Sequence, residues 1–68
     1  MELIINHRRR TFHPAPPSLE TVIRQELDRS TKGIAVAVNN QVIPKANWAD
    51  TPLREADQIL IITATQGG

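Results

Sequence analysis

Few residues in this 68-residue chain have side chains able to do chemistry. There is no cysteine, so a thiolate nucleophile, a disulfide framework and a thiolate metal site are all excluded. His7 and His13 flank a run of three arginines, but two histidines without a nearby carboxylate or thiol make an incomplete ligand set, and no metal is expected. No serine has an obvious histidine partner for nucleophilic catalysis. Asp50, Glu55 and Asp57 fall in turn-like stretches, and pairing them as acid and base requires a cleft that so short a chain can hardly build. Gly67-Gly68 is different, because its meaning depends on its place. In a loop two glycines make a turn, whereas at the end of a sequence they turn nothing. One reading is simple fraying or an appended scar. The other is a working tail with no Cβ to obstruct entry into a narrow channel and an α-carboxylate at its tip. Four residues beyond Ala64 reach about 13 Å when extended, enough to place Gly68 inside another protein's active site.

Two further features each allow two readings. Arg8-Arg9-Arg10 can pair with phosphate oxygens or form a solvated hairpin turn. A net charge of only +1 favours the turn, as does the lack of an aromatic platform beyond Phe12 and Trp48. Trp48 can be a binding hot spot, or it can close one end of the core while its N–H finds a backbone carbonyl. The second reading is favoured.

The elements that must carry these residues are constrained by size. A single domain this small buries only about 60% of the surface its unfolded chain exposes, so nearly every Ile, Val and Leu is needed for the core. An autonomous enzyme with a deep pocket is therefore not expected. The N-terminus is too short and too acidic for a signal peptide, and no apolar run approaches membrane-spanning length. A cytoplasmic location, with no nucleic-acid or membrane partner and a monomeric state, is the expectation.

Residues 2–6 form a dense run of branched aliphatics, and a polar turn over His7 to Arg10 leads to a second strand at Thr11-Phe12-His13. Pro14-Ala15-Pro16-Pro17 cannot extend a ladder, since proline lacks an N–H. Ser18 is placed as an N-cap, and the apolar stripe Leu19, Val22, Ile23 and Leu27 predicts an amphipathic helix ending near Asp28 to Ser30. Glu20 and Arg24 stand four apart in the favourable order, and Gly33 is available to reverse the chain. Ile34 to Val38 alternates branched with small residues, giving a strand with one bulky and one thin face. Asn39-Asn40 suits a turn, since asparagine tolerates positive φ, and Gln41-Val42-Ile43 returns before Pro44. An irregular connection over Lys45 to Thr51 and a turn over Pro52 to Asp57 precede Gln58 to Thr63, which is apolar on both faces as a central strand is. The resulting β-β-α-β-β-β order predicts an α+β roll, one helix packed on a mixed sheet, which is the β-grasp or ubiquitin-like architecture. The domain is expected over 1–64, with 65–68 as a flexible tail.

Several of these segments together resemble the ThiS family of thiamin-biosynthesis sulfur carriers. The resemblance is carried by Val38-Asn39, Val42-Ile43-Pro44-Lys45, Trp48, Leu53-Arg54-Glu55-Ala56-Asp57-Gln58-Ile59 and the closing Gly67-Gly68. It spans the chain and is strongest from Ile34 onward. Ala56 stands where the family typically has glycine, which puts the geometry of that turn in question.

The resemblance implies a carrier cycle rather than an enzyme. An E1-like adenylating enzyme of the ThiF type, using ATP and Mg²⁺, would convert the Gly68 carboxylate to an acyl-adenylate. This chain itself would bind no cofactor. Activation is chemically necessary, because an α-carboxyl with a pKa near roughly 3.5 is an ionised, poor electrophile at neutral pH. Sulfur from a cysteine desulfurase would then displace AMP to leave a thiocarboxylate, and thiazole synthase of the ThiG type would accept it. Gly67 would give access without bulk, and Thr65 and Gln66 an extended lead-in. The same fold and tip also serve the small subunit of molybdopterin synthase and ubiquitin-like modifiers, while a β-grasp RNA-binding or regulatory module using Arg8 to Arg10 is an alternative from another class.

Overall fold

A computed structural model describes residues 1–27 and 33–63. The expected tail, residues 65–68 with Ala64 before it, lies outside the described residues, as do Asp28 to Ser30. Strands β1 (Glu2–Ile5), β2 (Arg8–Thr11), β3 (Ile34–Val38), β4 (Gln41–Val42) and β5 (Gln58–Thr63) form one mixed sheet in the order β2-β1-β5-β3-β4. Only the central β1–β5 pairing is parallel. Helix α1 (Leu19–Glu26) crosses one face. This is the expected β-grasp roll.

The core follows from alternation. Leu3 and Ile5 of β1, Val36 of β3 and Ile59 of β5 point to the helix side, where they meet Leu19, Val22 and Ile23 of α1. Phe12 and Trp48 close its ends, and Leu27, Ile34, Val38 and Ile61 pack around it half-buried. Among the described residues no polar or charged side chain is buried. No described helix is long and apolar enough to cross a membrane.

The structure departs from the sequence reading in four places. The first hairpin turns at Asn6-His7 (φ 51° and 70°), one step earlier than expected, so Arg8 to Thr11 rather than Thr11 to His13 form β2. The reason is turn chemistry. Two consecutive positive φ values make a tight two-residue connection whose twist matches the strands, and asparagine can adopt the first of them. Phe12 still pairs, its N–H donating to the Met1 carbonyl at 2.7 Å.

Ser18 does precede the helix, but its hydroxyl caps no backbone N–H. It lies 3.5 Å from the Thr21 hydroxyl, while the Leu19 N–H donates to the Thr51 carbonyl at 2.9 Å. The connection after β4, rather than a side chain, thus supplies an acceptor at the helix start. The helix stops at Glu26, because Leu27 turns extended (φ −120°, ψ 119°) and packs against the core. Finally, Lys45–Asp50 is a 3₁₀ helix rather than an irregular connection.

Candidate functional site

The strand β5 leads directly into residues 64–68, so whatever holds β5 sets where those residues begin. Both hairpin turns hold it with asparagine. At the second turn Asn39 (φ 51°) and Asn40 (φ 71°) reverse the chain as expected. The Asn39 side-chain carbonyl accepts from the Gln58 N–H at 3.0 Å, and its amide donates to Asp57 Oδ1 at 3.0 Å. Asp57 Oδ2 in turn accepts from the Arg54 N–H at 2.8 Å. The valine-asparagine turn and the acidic turn, separated in sequence, are therefore one polar clasp at the start of β5. At the first turn Asn6 Oδ1 accepts from the Ile61 N–H at 2.8 Å.

Among the described residues the face of the sheet away from α1 carries large apolar side chains left exposed. The large apolar side chains that stay exposed are Val42 (69%), Leu60 (38%) and Ile62 (50%). Strand register places them together. Val42 pairs with Ala37 and Ala37 with Leu60, forming one row across the sheet, and Ala35 pairs with Ile62 in the next. Ile4 pairs with Gln58 beside them. The thin face of β3 thus points outward, and its alanines leave a shallow trough between flanking aliphatics. A hollow of about 50 Å³ lies on this face, lined by Ile4, His7, Ala37, Asn40, Gln58 and Leu60. That is far below the several hundred Å³ of a small-molecule pocket, but it can take the tip of one side chain.

The three arginines do not converge. Successive strand residues alternate faces, so Arg9 stands beside Ile4 on the outer face while Arg8 and Arg10, paired with Ile5 and Leu3, lie on the helix side. Arg10 donates to Glu26 Oε1 at 2.8 Å and lies over the Phe12 ring at 6.0 Å. Arg9 sits 3.5 Å from Glu2 Oε1. With two guanidiniums tied to carboxylates and the set split across the sheet, no common phosphate cradle forms. His7 sits in the first turn and His13 follows β2, both exposed. Among the described residues no group of three His, Asp or Glu is arranged to hold a metal ion.

Trp48 is 2% exposed, and its Nε1–H donates to the Ile43 carbonyl at 2.8 Å. It is a core residue, as the favoured sequence reading had it. The Asn6 contact is what sequence reasoning missed. Its signal was an asparagine closing an aliphatic strand, the same pattern recognised at Asn39.

Gly67, Gly68, Gln66 and Thr65, the residues expected to act, lie outside the described residues. Comparison with known proteins bears on them instead. The model of the ThiS family matches residues 3–68. The chain is 36% identical over 44 residues to the sulfur carrier protein ThiS of Escherichia coli (strain K12), covering 65% of this chain and 67% of that protein. The fold is similar to that of a crystal structure of the thiamine biosynthesis protein ThiS from Geobacter metallireducens, with a TM-score of 0.84, 17% identity and full coverage of both chains.

Proposed function

This chain belongs to the ThiS family of sulfur carriers in thiamin biosynthesis, and we propose that its own carrier group is the α-carboxylate of Gly68. The observation that carries this reading is a family match that runs through the closing Gly67-Gly68. The chain acts as a protein co-substrate. An E1-like adenylating enzyme uses ATP and Mg²⁺ to join the Gly68 carboxylate to AMP, releasing pyrophosphate and leaving a mixed anhydride. The terminal sulfur of a desulfurase-derived persulfide then attacks the carbonyl carbon, and AMP departs with the electrons of the broken C–O bond. A thiol then attacks the outer sulfur of the resulting acyl persulfide, so that the S–S bond breaks, a disulfide forms and the carrier leaves as a thiocarboxylate. Thiazole synthase takes that sulfur, and water restores the carboxylate.

In this cycle Thr65 and Gln66 are an extended lead-in, and Gly67 passes a narrow channel because it has no Cβ. The outer sheet face supplies the docking surface. Leu60 and Ile62 offer apolar area at its centre, with Val42 on one edge strand and Arg9 on the other. Area supports this more than charge, because the chain is nearly neutral and long-range steering is weak.

The test is intact-mass analysis after incubation with an adenylating enzyme, ATP, Mg²⁺ and a persulfide donor. The expected outcome is the mass change of one sulfur replacing one oxygen, localised by fragmentation to Gly68. A C-terminus left unmodified where a control carrier is fully converted overturns the reading. Retention of thiazole synthase, rather than the large subunit of molybdopterin synthase, on the immobilised carrier checks the pathway.

A further inference from the structure

Strand β2 is the outermost strand on its side of the sheet, and all four of its residues are exposed. Which of its backbone groups are open follows from the hairpin register. The Phe12 N–H donates to the Met1 carbonyl at 2.7 Å, and the Met1 ammonium donates to the Phe12 carbonyl at 2.8 Å. Bonded and non-bonded pairs alternate in an antiparallel ladder, so Leu3–Arg10 and Ile5–Arg8 are bonded while Glu2–Thr11 and Ile4–Arg9 are not. Glu2 and Ile4 agree with this, because their backbone bonds run the other way, to Glu55, Ala56 and Asp57. The N–H and C=O groups of Arg9 and Thr11 therefore point out from the sheet edge as two open rungs about 7 Å apart. Among the described residues no strand lies beyond them.

The charge along this edge has a matching period. From His7 to His13 the chain carries three arginines and no carboxylate. Arg9 projects on the outer face, while Arg8 and Arg10 lie on the helix side, bordering an open trough of about 480 Å³ with Ile5 and Glu26. That split denies a compact phosphate three converging guanidiniums. An added strand is different, since its own side chains alternate between the same two faces with the same period. Carboxylates on both of its faces then meet a guanidinium. The ion pairs already present leave donors over, because a guanidinium has five N–H groups. Glu26 holds Arg10 through Nη1, and Glu2 approaches Nε of a largely exposed Arg9. The same charge repels a second copy of this edge, which would set arginines against arginines.

We propose that the edge of β2 is a docking site for an acidic extended segment of a partner protein, which adds a strand to the sheet through the backbone of Arg9 and Thr11. Backbone bonds supply the attachment, and the three arginines select for carboxylates. The site lies apart from Leu60 and Ile62 and does not depend on the chemistry at Gly68.

The probe is a capped peptide of about eight residues in which glutamate pairs alternate with valine pairs, so that a strand of it shows carboxylates on both faces. The same peptide with glutamine for glutamate is the control. Each is titrated into the full chain, and affinity and amide exchange are read by NMR. With the acidic peptide bound, the Arg9 and Thr11 N–H groups are expected to exchange about tenfold more slowly, and those of Arg8 and Arg10, already bonded to β1, within about twofold of the free rate. The glutamine peptide binds the wild-type chain at least about tenfold more weakly, and Arg9→Glu weakens the acidic peptide by as much. Thr11→Pro keeps every charge but removes one edge donor, and weakens binding about fivefold. Should proline disturb the strand, Arg9→Glu and the wild-type exchange pattern still decide. Equal binding of the glutamine peptide, no binding at millimolar concentration, or binding without the alternate protection of Arg9 and Thr11 overturns strand addition. Protection at Leu60 and Ile62 instead moves the site to the outer face, and tighter binding of oligothymidylate to the same residues makes it a phosphate site. Either result overturns the acidic-strand assignment.

Discussion

Ala56 holds a φ of 67°, a region that costs an alanine roughly 1 kcal/mol because its Cβ crowds the backbone. It stands in the turn Arg54 to Asp57, where its N–H donates to the Glu2 carbonyl at 2.7 Å and the Asp57 N–H donates to the Arg54 carbonyl at 3.1 Å. The hydrogen bonds around it hold the strained conformation. Relief of that strain, set against the extra backbone entropy glycine loses on folding, gives Ala56→Gly an expected net stabilisation of a few tenths of a kcal/mol, about 0.5 at most. Denaturant melts would show a raised midpoint with an unchanged slope. A lowered midpoint would mean that the alanine methyl packs more usefully than the backbone strain costs. Trp48 predicts the opposite change. Trp48→Phe removes the donor to the Ile43 carbonyl and leaves space in the core, at an expected cost of about 1–3 kcal/mol in the same measurement. Of these two residues, Trp48 was readable from its type, since a lone tryptophan in a small chain is core material with a polar handle. The strain at Ala56 was visible only as a mismatch with a glycine-preferring turn.

Among the elements, β2 and β5 show what a strand's place in the sheet does to its residues. β2 is an outer strand, exposed throughout, and its three arginines put charge along an edge that would otherwise invite pairing with another chain. A run of charge looks like a turn in the sequence, whereas the turn itself is set by Asn6-His7 and their positive φ. β5 is central, as its aliphatic run implied, but only one of its faces is covered. Ile59 lies in the core while Leu60 and Ile62 face away from α1. Ile62→Lys should leave stability within about 0.5 kcal/mol, since that side chain is already half exposed. It should raise the KM for the adenylating enzyme about tenfold if this face docks the partner. Steady-state thiocarboxylation would measure it, and an unchanged KM would move the docking surface elsewhere.

At the scale of the molecule, the described residues divide into a core that holds the fold and an outer face left for contact. Among the described residues the nine hydrophobics of the core run from Leu3 to Ile59. Gly67 has no side chain and no large apolar residue stands beside it in the sequence, so Gly67→Val should leave the thermal midpoint within about 1 °C. Thiocarboxylate formation should fall by at least tenfold, because a Cβ with two methyl groups must then enter a channel shaped for glycine. Calorimetry together with the intact-mass assay separates these effects, and a collapse in midpoint would make the tail part of the fold rather than the carrier.

What the sequence determined by itself was the order of the strands and helix α1, the helix stripe, the asparagine turn at Asn39-Asn40 and the core role of Trp48. Each depends on residue type and local spacing, which a linear chain displays. Only the tertiary structure decided which alternating set of β3 and β5 faces outward. Alternation is symmetric until α1 covers one side, and both sets on β5 are equally aliphatic. It also decided that Asn6 reaches Ile61, 55 residues away, and that Asn39 joins Asp57 to the start of β5. A side chain that substitutes for a backbone rung leaves no periodic trace, because its partner is chosen by the pairing of strands distant in sequence.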